Sequence, residues 1–227
     1  MRRTKAEAEQ TREALLRAAI EVFYARGVGN AALDEIARTA GMTRGAVYWH
    51  FRDKLEIFSA LEKRVGLPNA EFIATMKARL EADLGLDPLA ELAATIAEGL
   101  RALENDSERR KILTILWLRC EYVNRMLSAL THRRQADAEL QNQLLAVIRL
   151  GAERGRLAPA WSPERAARAL FLLLNGSVED WLQAPDEVRL VDETMPVVEG
   201  FLEAISEPRG ADNGSGNGLV HRLAPLG

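Results

Sequence analysis

Apolar residues recur at helical spacing along almost the whole chain. The first segment carries an apolar face at spacings i, i+4, i+7 and i+8, formed by Leu15, Ala19, Val22 and Phe23. This spacing predicts a helix from about Lys5 to Arg26. The alternating apolar and polar positions that are typical of strands are absent, so the sequence predicts an all-α protein of about nine helices.

Glycine, proline and capping residues divide the rest of the pattern into eight further helices. Gly27 is placed to end the first helix, and Asp87-Pro88 pairs a capping side chain with a proline at the first helical position. Pro68 should kink or interrupt the helix in which it lies. Seven of these predicted helices cover about 33–40, 44–51, 88–104, 107–118, 131–154, 162–184 and 187–205. The eighth begins at about 54 and continues past Pro68 to include Phe72.

The segment from 33 to 54 contains two short predicted helices joined by a glycine turn. Their inward positions are apolar and comprise Ile36, Ala37, Ala40, Val47 and Phe51. These side chains can pack on the apolar face of the first helix. Residues 1–54 are therefore predicted to form a three-helix, helix-turn-helix head with a small core of its own.

The second short helix presents large aromatic side chains on the side away from this core. Tyr48 and Trp49 lie there beside Arg44 and Arg52. Exposed aromatics are costly in water, so a partner surface is the natural explanation, and the major groove of DNA accepts a single helix. Thr43 is placed to cap this helix. The alternative is that both rings pack against the body of the protein.

Two further residues and the charge distribution suit a nucleic-acid partner. Gly45 permits close approach of the backbone to a duplex, and Lys54 can reach a phosphate. The whole chain has a formal net charge of −3, whereas its first 64 residues carry +3. A basic head on an acidic body is expected when only the head meets phosphate.

The segment IARTAGMTRGAVYWHFRDK resembles the helix-turn-helix signature of the TetR family of transcriptional repressors. The opening RRTKAEAEQTR and the FYARGV segment are similar to its AcrR-like branch, which governs multidrug efflux pumps. The resemblance implies a homodimeric repressor that leaves a palindromic operator when a hydrophobic small molecule binds. It also implies DNA contacts from Thr43, Arg44, Gly45, Tyr48, Trp49, His50 and Lys54, with Arg2, Arg3 and Lys5 as a candidate arm.

The chain departs from the family pattern just before the first short helix. The family usually has Thr or Ser there, which caps the helix and touches phosphate. Ala31 and Ala32 occupy these positions in this chain, and Asn30 is the residue that could substitute.

Residues 55–206 are predicted to form a larger helical bundle that binds ligand and dimerises. The run 112–118 is apolar around most of a helix, so that helix must be surrounded. The helix from 162 is apolar on two sides, which suits a position between a cavity and an interface. Composition predicts only a bundle, whereas the resemblance makes the last two long helices the dimer interface.

Polar residues are few in these stretches, and apolar walls with isolated polar groups suit a pocket for hydrophobic compounds. By resemblance the pocket would be lined by Leu92, Ile96, Leu113, Trp117, Phe171, Leu174, Asn175 and Val178. The alternative for each apolar residue is ordinary core packing. Trp117 and Asn175 are stronger candidates, because each brings a hydrogen-bonding group that a dry core has to satisfy.

The sequence contains no pattern for catalysis or for a metal site. Phosphate loops and nucleophile elbows are absent, and His132 and His221 lack ligating neighbours at useful spacing. We therefore expect no enzymatic activity, cofactor or metal. The single cysteine, Cys120, is expected to be a buried hydrophobe within an apolar helix rather than a redox sensor.

The remaining features predict a cytoplasmic protein with a disordered tail. A single cysteine excludes an internal disulfide, and neither a signal peptide nor a membrane span is predicted. Residues 207–227 are rich in glycine and asparagine. Two alternatives stay open: a helical binding module that never touches DNA, and a family member that regulates metabolism rather than efflux.

Overall fold

The computed structural model describes residues 5–65, 70–121 and 127–207. Within these ranges the chain forms ten α-helices and no strand, which confirms the all-α expectation. The helices are α1 (Lys5–Arg26), α2 (Leu33–Thr39), α3 (Arg44–His50), α4 (Lys54–Val65), α5 (Ala70–Ala82), α6 (Pro88–Asn105), α7 (Ser107–Leu118), α8 (Leu127–Glu153), α9 (Pro163–Gln183) and α10 (Leu190–Ile205).

Helices α1, α2 and α3 form the head around the apolar side chains that the spacing selects. Phe23, Ile36, Val47 and Phe51 are almost completely buried between them. The turn from α2 to α3 passes through Gly41 with a φ of 67°, a conformation in which any Cβ is strained. The predicted helix-turn-helix head is therefore present.

The turn after α1 joins this head to the body. The amide of Val28 donates to the carbonyl oxygen of Arg119, just beyond the end of α7, at 2.9 Å. Gly27 has a φ of 77°, and a Cβ added there would lie 3.3 Å from the same oxygen. The backbone conformation therefore favours glycine at this turn, and the nearby body makes any side chain there a tight fit.

The body is a bundle with α7 in its interior. Helix α7 contacts α1, α4, α6 and α9, and its residues from Ile112 to Leu116 are buried, as the apolar run predicts. Helix α8 packs along α9, and α10 packs across α6 and α9. Among the described residues, no helix has the length and apolar character needed to cross a lipid bilayer.

Several predicted boundaries differ from those observed. The fourth predicted helix is two helices, α4 and α5, which raises the count from nine to ten. Helix α8 begins at Leu127 rather than 131, and α10 begins at Leu190 rather than 187. The N-cap of α10, Arg189, makes no side-chain hydrogen bond to the helix, so the sequence offers little to mark that start. Arg2, Arg3, Pro68, His221 and the predicted tail after 207 lie outside the described residues.

We predict that Asp87→Ala lowers the free energy of unfolding by about 2–4 kcal/mol. Asp87 Oδ1 accepts the Leu89 amide at 3.0 Å and caps α6, while Oδ2 lies 2.7 Å from Arg156 Nη2. The substitution therefore removes a helix cap and a largely buried ion pair together. Urea denaturation at fixed protein concentration measures the change.

Asp106→Ala is the matched control. Asp106 caps α7 by accepting the Arg109 amide at 2.9 Å, but it is exposed. Its loss should cost about 1 kcal/mol, the value of a cap alone. Equal losses in the two variants would show that the Arg156 pair contributes nothing.

Candidate DNA-binding surface and effector site

Helix α3 exposes the aromatic side chains that the sequence places on its outer face. Tyr48 is 46% exposed and Trp49 is 69% exposed, whereas Val47 on the opposite face is buried. The alternative in which both rings pack against the body is therefore wrong. A seven-residue helix with two open rings presents a surface suited to a partner.

The start of α3 is capped and open to approach. Thr43 Oγ1 accepts the Ala46 amide at 3.3 Å, which confirms the predicted cap. A Cβ added at Gly45 would meet only Thr43 Oγ1, at 3.8 Å. Nothing within the fold therefore requires glycine at this position, which leaves room for close approach from outside.

The guanidinium of Arg44 is held by neighbours on the same exposed surface. Its Nη2 donates to the Tyr48 hydroxyl at 3.2 Å, and its carbon lies 5.4 Å from the Tyr48 ring centroid. Its Nε lies 3.0 Å from Asp34 Oδ1 on α2. The hydrogen bond to Tyr48 and the charge of Asp34 both raise the pKa of Arg44, so the side chain remains a cation.

Lys54 and His50 are engaged differently from the other predicted contact residues. Lys54 Nζ donates to the carbonyl oxygens of Val28 and Gly29 at 2.9 and 2.8 Å. The ammonium therefore holds the turn after α1 and uses two of its three donors there. His50 is half-buried, and its ring meets the Trp49 ring edge-on at 4.5 Å. The structure thus gathers Thr43, Arg44, Gly45, Tyr48 and Trp49 on the exposed side of α3.

Asn30 does not cap α2, so that expectation is wrong. The N-cap residue is Ala32, which makes no side-chain hydrogen bond to the helix. Asn30 Nδ2 instead donates to the carbonyl oxygen of Arg26, at the end of α1. The first turn of α2 carries Asp34 and Glu35, whose charges favour the positive end of the helix dipole.

The eight predicted ligand-lining residues lie on three helices, of which α7 contacts both α6 and α9. Leu92 and Ile96 are on α6, Leu113 and Trp117 on α7, and the other four on α9. The six aliphatic and phenylalanine side chains are buried, whereas Trp117 and Asn175 are half-buried. The Arg133 guanidinium lies 4.9 Å from the Trp117 ring centroid. Their role in binding a ligand stays a prediction.

An open cleft lies elsewhere, at the junction of head and body. Its volume is about 500 Å³, and α1, the end of α2 and the start of α7 line it. Lys111 of α7 crosses this junction to pair with Glu21 of α1 at 2.7 Å. Sequence patterns give no sign of the cleft, because its walls are ordinary helix surfaces brought together only by the fold.

A polar cluster that the sequence did not suggest lies between α4 and α8. Glu62 Oε2 is 3.5 Å from His132 Nδ1, and burial raises the pKa of Glu62 while His132 opposes that shift. Glu62 lies four residues after buried Phe58 and therefore on the apolar face of α4. A carboxylate on an apolar helix face is the sequence feature that could have revealed this pair.

Cys120 lies beside this cluster. Helix α7 ends at Leu118, so the expectation that Cys120 lies within a helix is wrong. The side chain is half-buried rather than fully buried. Burial first, and then the charges of Glu62 and Glu121, raise its pKa to about 11, which keeps the thiol protonated at neutral pH. No cluster of three potential metal ligands occurs in the described part of the chain.

Comparison with known proteins gives consistent matches along the chain. The family profile described as bacterial regulatory proteins, tetR family, matches residues 15–61. The profile described as MAATS-type transcriptional repressor, C-terminal region, matches residues 87–207. The HTH-type transcriptional repressor BepR of Brucella suis biovar 1 (strain 1330) is 36% identical over 208 residues, which are 92% of this chain and 98% of BepR.

Solved structures agree over the same extent. NalD, the secondary repressor of the MexAB-OprM multidrug efflux pump in Pseudomonas aeruginosa, is 32% identical with a TM-score of 0.77, covering 90% of this chain and all of the NalD chain. A complex of SmeT with triclosan is 28% identical with a TM-score of 0.71, covering 96% of this chain and all of the SmeT chain.

We predict that Cys120 reacts with a disulfide reagent on the order of a hundredfold more slowly at pH 8 than a free thiol, because so little thiolate is present. The logarithm of the rate should rise linearly from pH 7 to 10, since the pKa is about 11. Cys120 is the single cysteine, so the rate has one source. Glu62→Gln should accelerate the reaction by removing a neighbouring charge. A plateau above pH 9 in the unsubstituted protein would contradict the raised pKa.

Proposed function

This chain belongs to the TetR family of bacterial regulatory proteins, and we propose that it is a transcriptional repressor released from its operator by a hydrophobic small molecule. NalD represses a multidrug efflux pump, and SmeT has been solved with triclosan bound. We propose that this chain controls an efflux operon in the same way. The observation that carries the proposal is the exposed basic and aromatic face of α3 on a complete three-helix head.

The proposed DNA-binding domain is residues 1–54, with α3 as the recognition helix in the major groove. Arg44 can read a guanine edge, because its guanidinium offers paired donors that fit O6 and N7. Gly45 leaves room for the backbone beside the duplex. The proposed contacts are Thr43, Arg44, Gly45, Tyr48, Trp49, His50 and Lys54, where Lys54 would use the donor that Val28 and Gly29 leave free.

The proposed sensor domain is residues 55–206, with the ligand among α6, α7 and α9. An apolar compound that entered there would displace α7, since six of the eight proposed lining residues are buried in the core. The carbonyl of Arg119 at the end of α7 accepts the Val28 amide, and Lys111 of α7 pairs with Glu21. Movement of α7 therefore reaches the head through two named contacts.

We further propose that the repressor is a homodimer formed through α9 and α10. Leu172 is 53% exposed and Val197 is 55% exposed on the outer faces of these helices. A Cβ added at Gly176 or Gly200 would meet nothing within 4 Å, so the backbone there is open to close packing by a second copy. A dimer also places two recognition helices for a palindromic operator.

The proposal predicts that the purified protein retards DNA taken from upstream of its own gene and that hydrophobic drugs release it. Tyr48→Ala should abolish this binding, because it removes a base-facing ring and a hydrogen-bond partner of Arg44. Binding should weaken steeply with salt, since counterions leave the phosphates. Gel-shift titrations at several salt concentrations measure both effects.

A leucine-to-serine change at exposed Leu84, in the turn after α5, is the matched control and should bind as the unsubstituted protein does. Binding that no drug reverses would remove the efflux assignment and favour a regulator of metabolism. Equal binding by Tyr48→Ala would refute α3 as the recognition helix.

The dimer proposal predicts that Leu172→Glu combined with Val197→Glu gives a monomer. Two carboxylates per subunit would be buried without partners at the interface, at a cost of several kcal/mol. Sedimentation equilibrium measures the mass, and operator binding should fall in parallel. Glu203→Lys, an exposed change on the same helix as Val197, tests for a general charge effect. A dimer that survives the double substitution would place the interface elsewhere.

A further inference from the structure

Asp34, in the first turn of α2, binds the guanidinium of Arg44 on α3. Arg44 Nε lies 3.0 Å from Asp34 Oδ1, and Nη1 donates to Oδ2 at 3.3 Å. The remaining nitrogen, Nη2, donates to the Tyr48 hydroxyl. Each of the three guanidinium nitrogens therefore has a partner inside the protein before any DNA is present.

This ion pair contributes little to holding the head together. Both side chains are more than half exposed, and exposed pairs are worth little because water and salt screen them. Helices α2 and α3 are already joined by the buried side chains of Ile36 and Val47 and by the turn at Gly41. The main effect of the Asp34–Arg44 ion pair is therefore on which groups outside the protein Arg44 can bind, rather than on the stability of the head.

The start of α2 also lacks the groups that would attract a phosphate. Its N-cap is Ala32, without a hydroxyl, and its first turn carries Asp34 and Glu35. In a helix-turn-helix the first helix crosses the DNA backbone, so negative charge at its start opposes the phosphates. This chain thus places a carboxylate where sequence-independent attraction would otherwise act.

We propose that Asp34 is a specificity-determining residue that holds Arg44 and suppresses binding to DNA of arbitrary sequence. The inference rests on the proposed DNA-binding function. Attraction to phosphates supplies nearly all of the affinity for DNA of arbitrary sequence. Competition from Asp34 for Arg44 therefore weakens binding to such DNA more than binding to the operator. On the operator, contacts of α3 with base edges add to the attraction, and Arg44 can exchange Asp34 for a guanine edge. Asp34 therefore widens the gap between the two affinities.

The test compares the full-length protein with Asp34→Asn on two duplexes. One duplex is selected by the unsubstituted protein from a random-sequence library, and the other has the same bases in scrambled order. Asp34→Asn should strengthen binding to the scrambled duplex about two- to fivefold, the size of one exposed ion pair. The salt dependence should steepen by about 0.9 on a log–log plot, as expected for one more phosphate contact. Binding to the selected duplex should change less.

Two controls separate the local contact from a general charge effect. Glu35→Gln removes one charge from the same turn, but Glu35 pairs with Arg26 of α1 rather than with Arg44. It should change scrambled-duplex binding less than Asp34→Asn does. In an Arg44→Gln protein, adding Asp34→Asn should strengthen scrambled-duplex binding no more than Glu35→Gln does in the unsubstituted protein, because only the loss of one surface charge remains once Arg44 is gone. Asp34→Glu should keep the selectivity of the unsubstituted protein.

Two results would overturn the inference. Equal effects of Asp34→Asn and Glu35→Gln would reduce Asp34 to a general surface charge. Weaker binding of Asp34→Asn to the selected duplex, with scrambled-duplex binding unchanged, would mean that Asp34 positions Arg44 for base contact. Failure of the unsubstituted protein to select any duplex would instead refute the DNA-binding function itself.

Discussion

Helix α1 has to satisfy two apolar cores at once. Its buried residues occupy more than one face, and it contacts α2 on the head side and α4 and α7 on the body side. Removing apolar surface from water is the main favourable term in folding, so α1 cannot leave either core without a large cost. The head is consequently oriented by the body, which is the requirement for any signal to pass from one to the other.

Most of the fold could be predicted from the sequence, because helical spacing and caps are local. The stripe of α1, the capped starts at Asp87 and Ser162, and the surrounded run in α7 all follow from residues a few positions apart. Pro68 predicts that the fourth helix is kinked or interrupted, but the pattern does not decide between a kinked helix and the two separate helices observed. The start of α8 could not be predicted, because tertiary packing decides where that helix begins.

The outer face of α3 was predictable for the same reason, whereas its environment was not. Val47 and Tyr48 are neighbours in sequence, so their opposite exposures follow from helix geometry. The contacts of Lys54 with Val28 and of Arg44 with Asp34 join different helices. Glu62 and His132 are seventy positions apart and meet only in the folded body. Long-range polar pairs of this kind leave no periodic trace.

The turn at Gly27 has a consequence for how such a protein can lose its function by mutation. Any side chain there would be strained by the positive φ and would press on the Arg119 carbonyl that accepts the Val28 amide. The substitution would disturb the hydrogen bond between head and body. It would leave the residues of the α3 surface and of the core formed by α6, α7 and α9 unchanged. A substitution at Gly27 would therefore disturb the contact between head and body from a position outside both proposed binding sites.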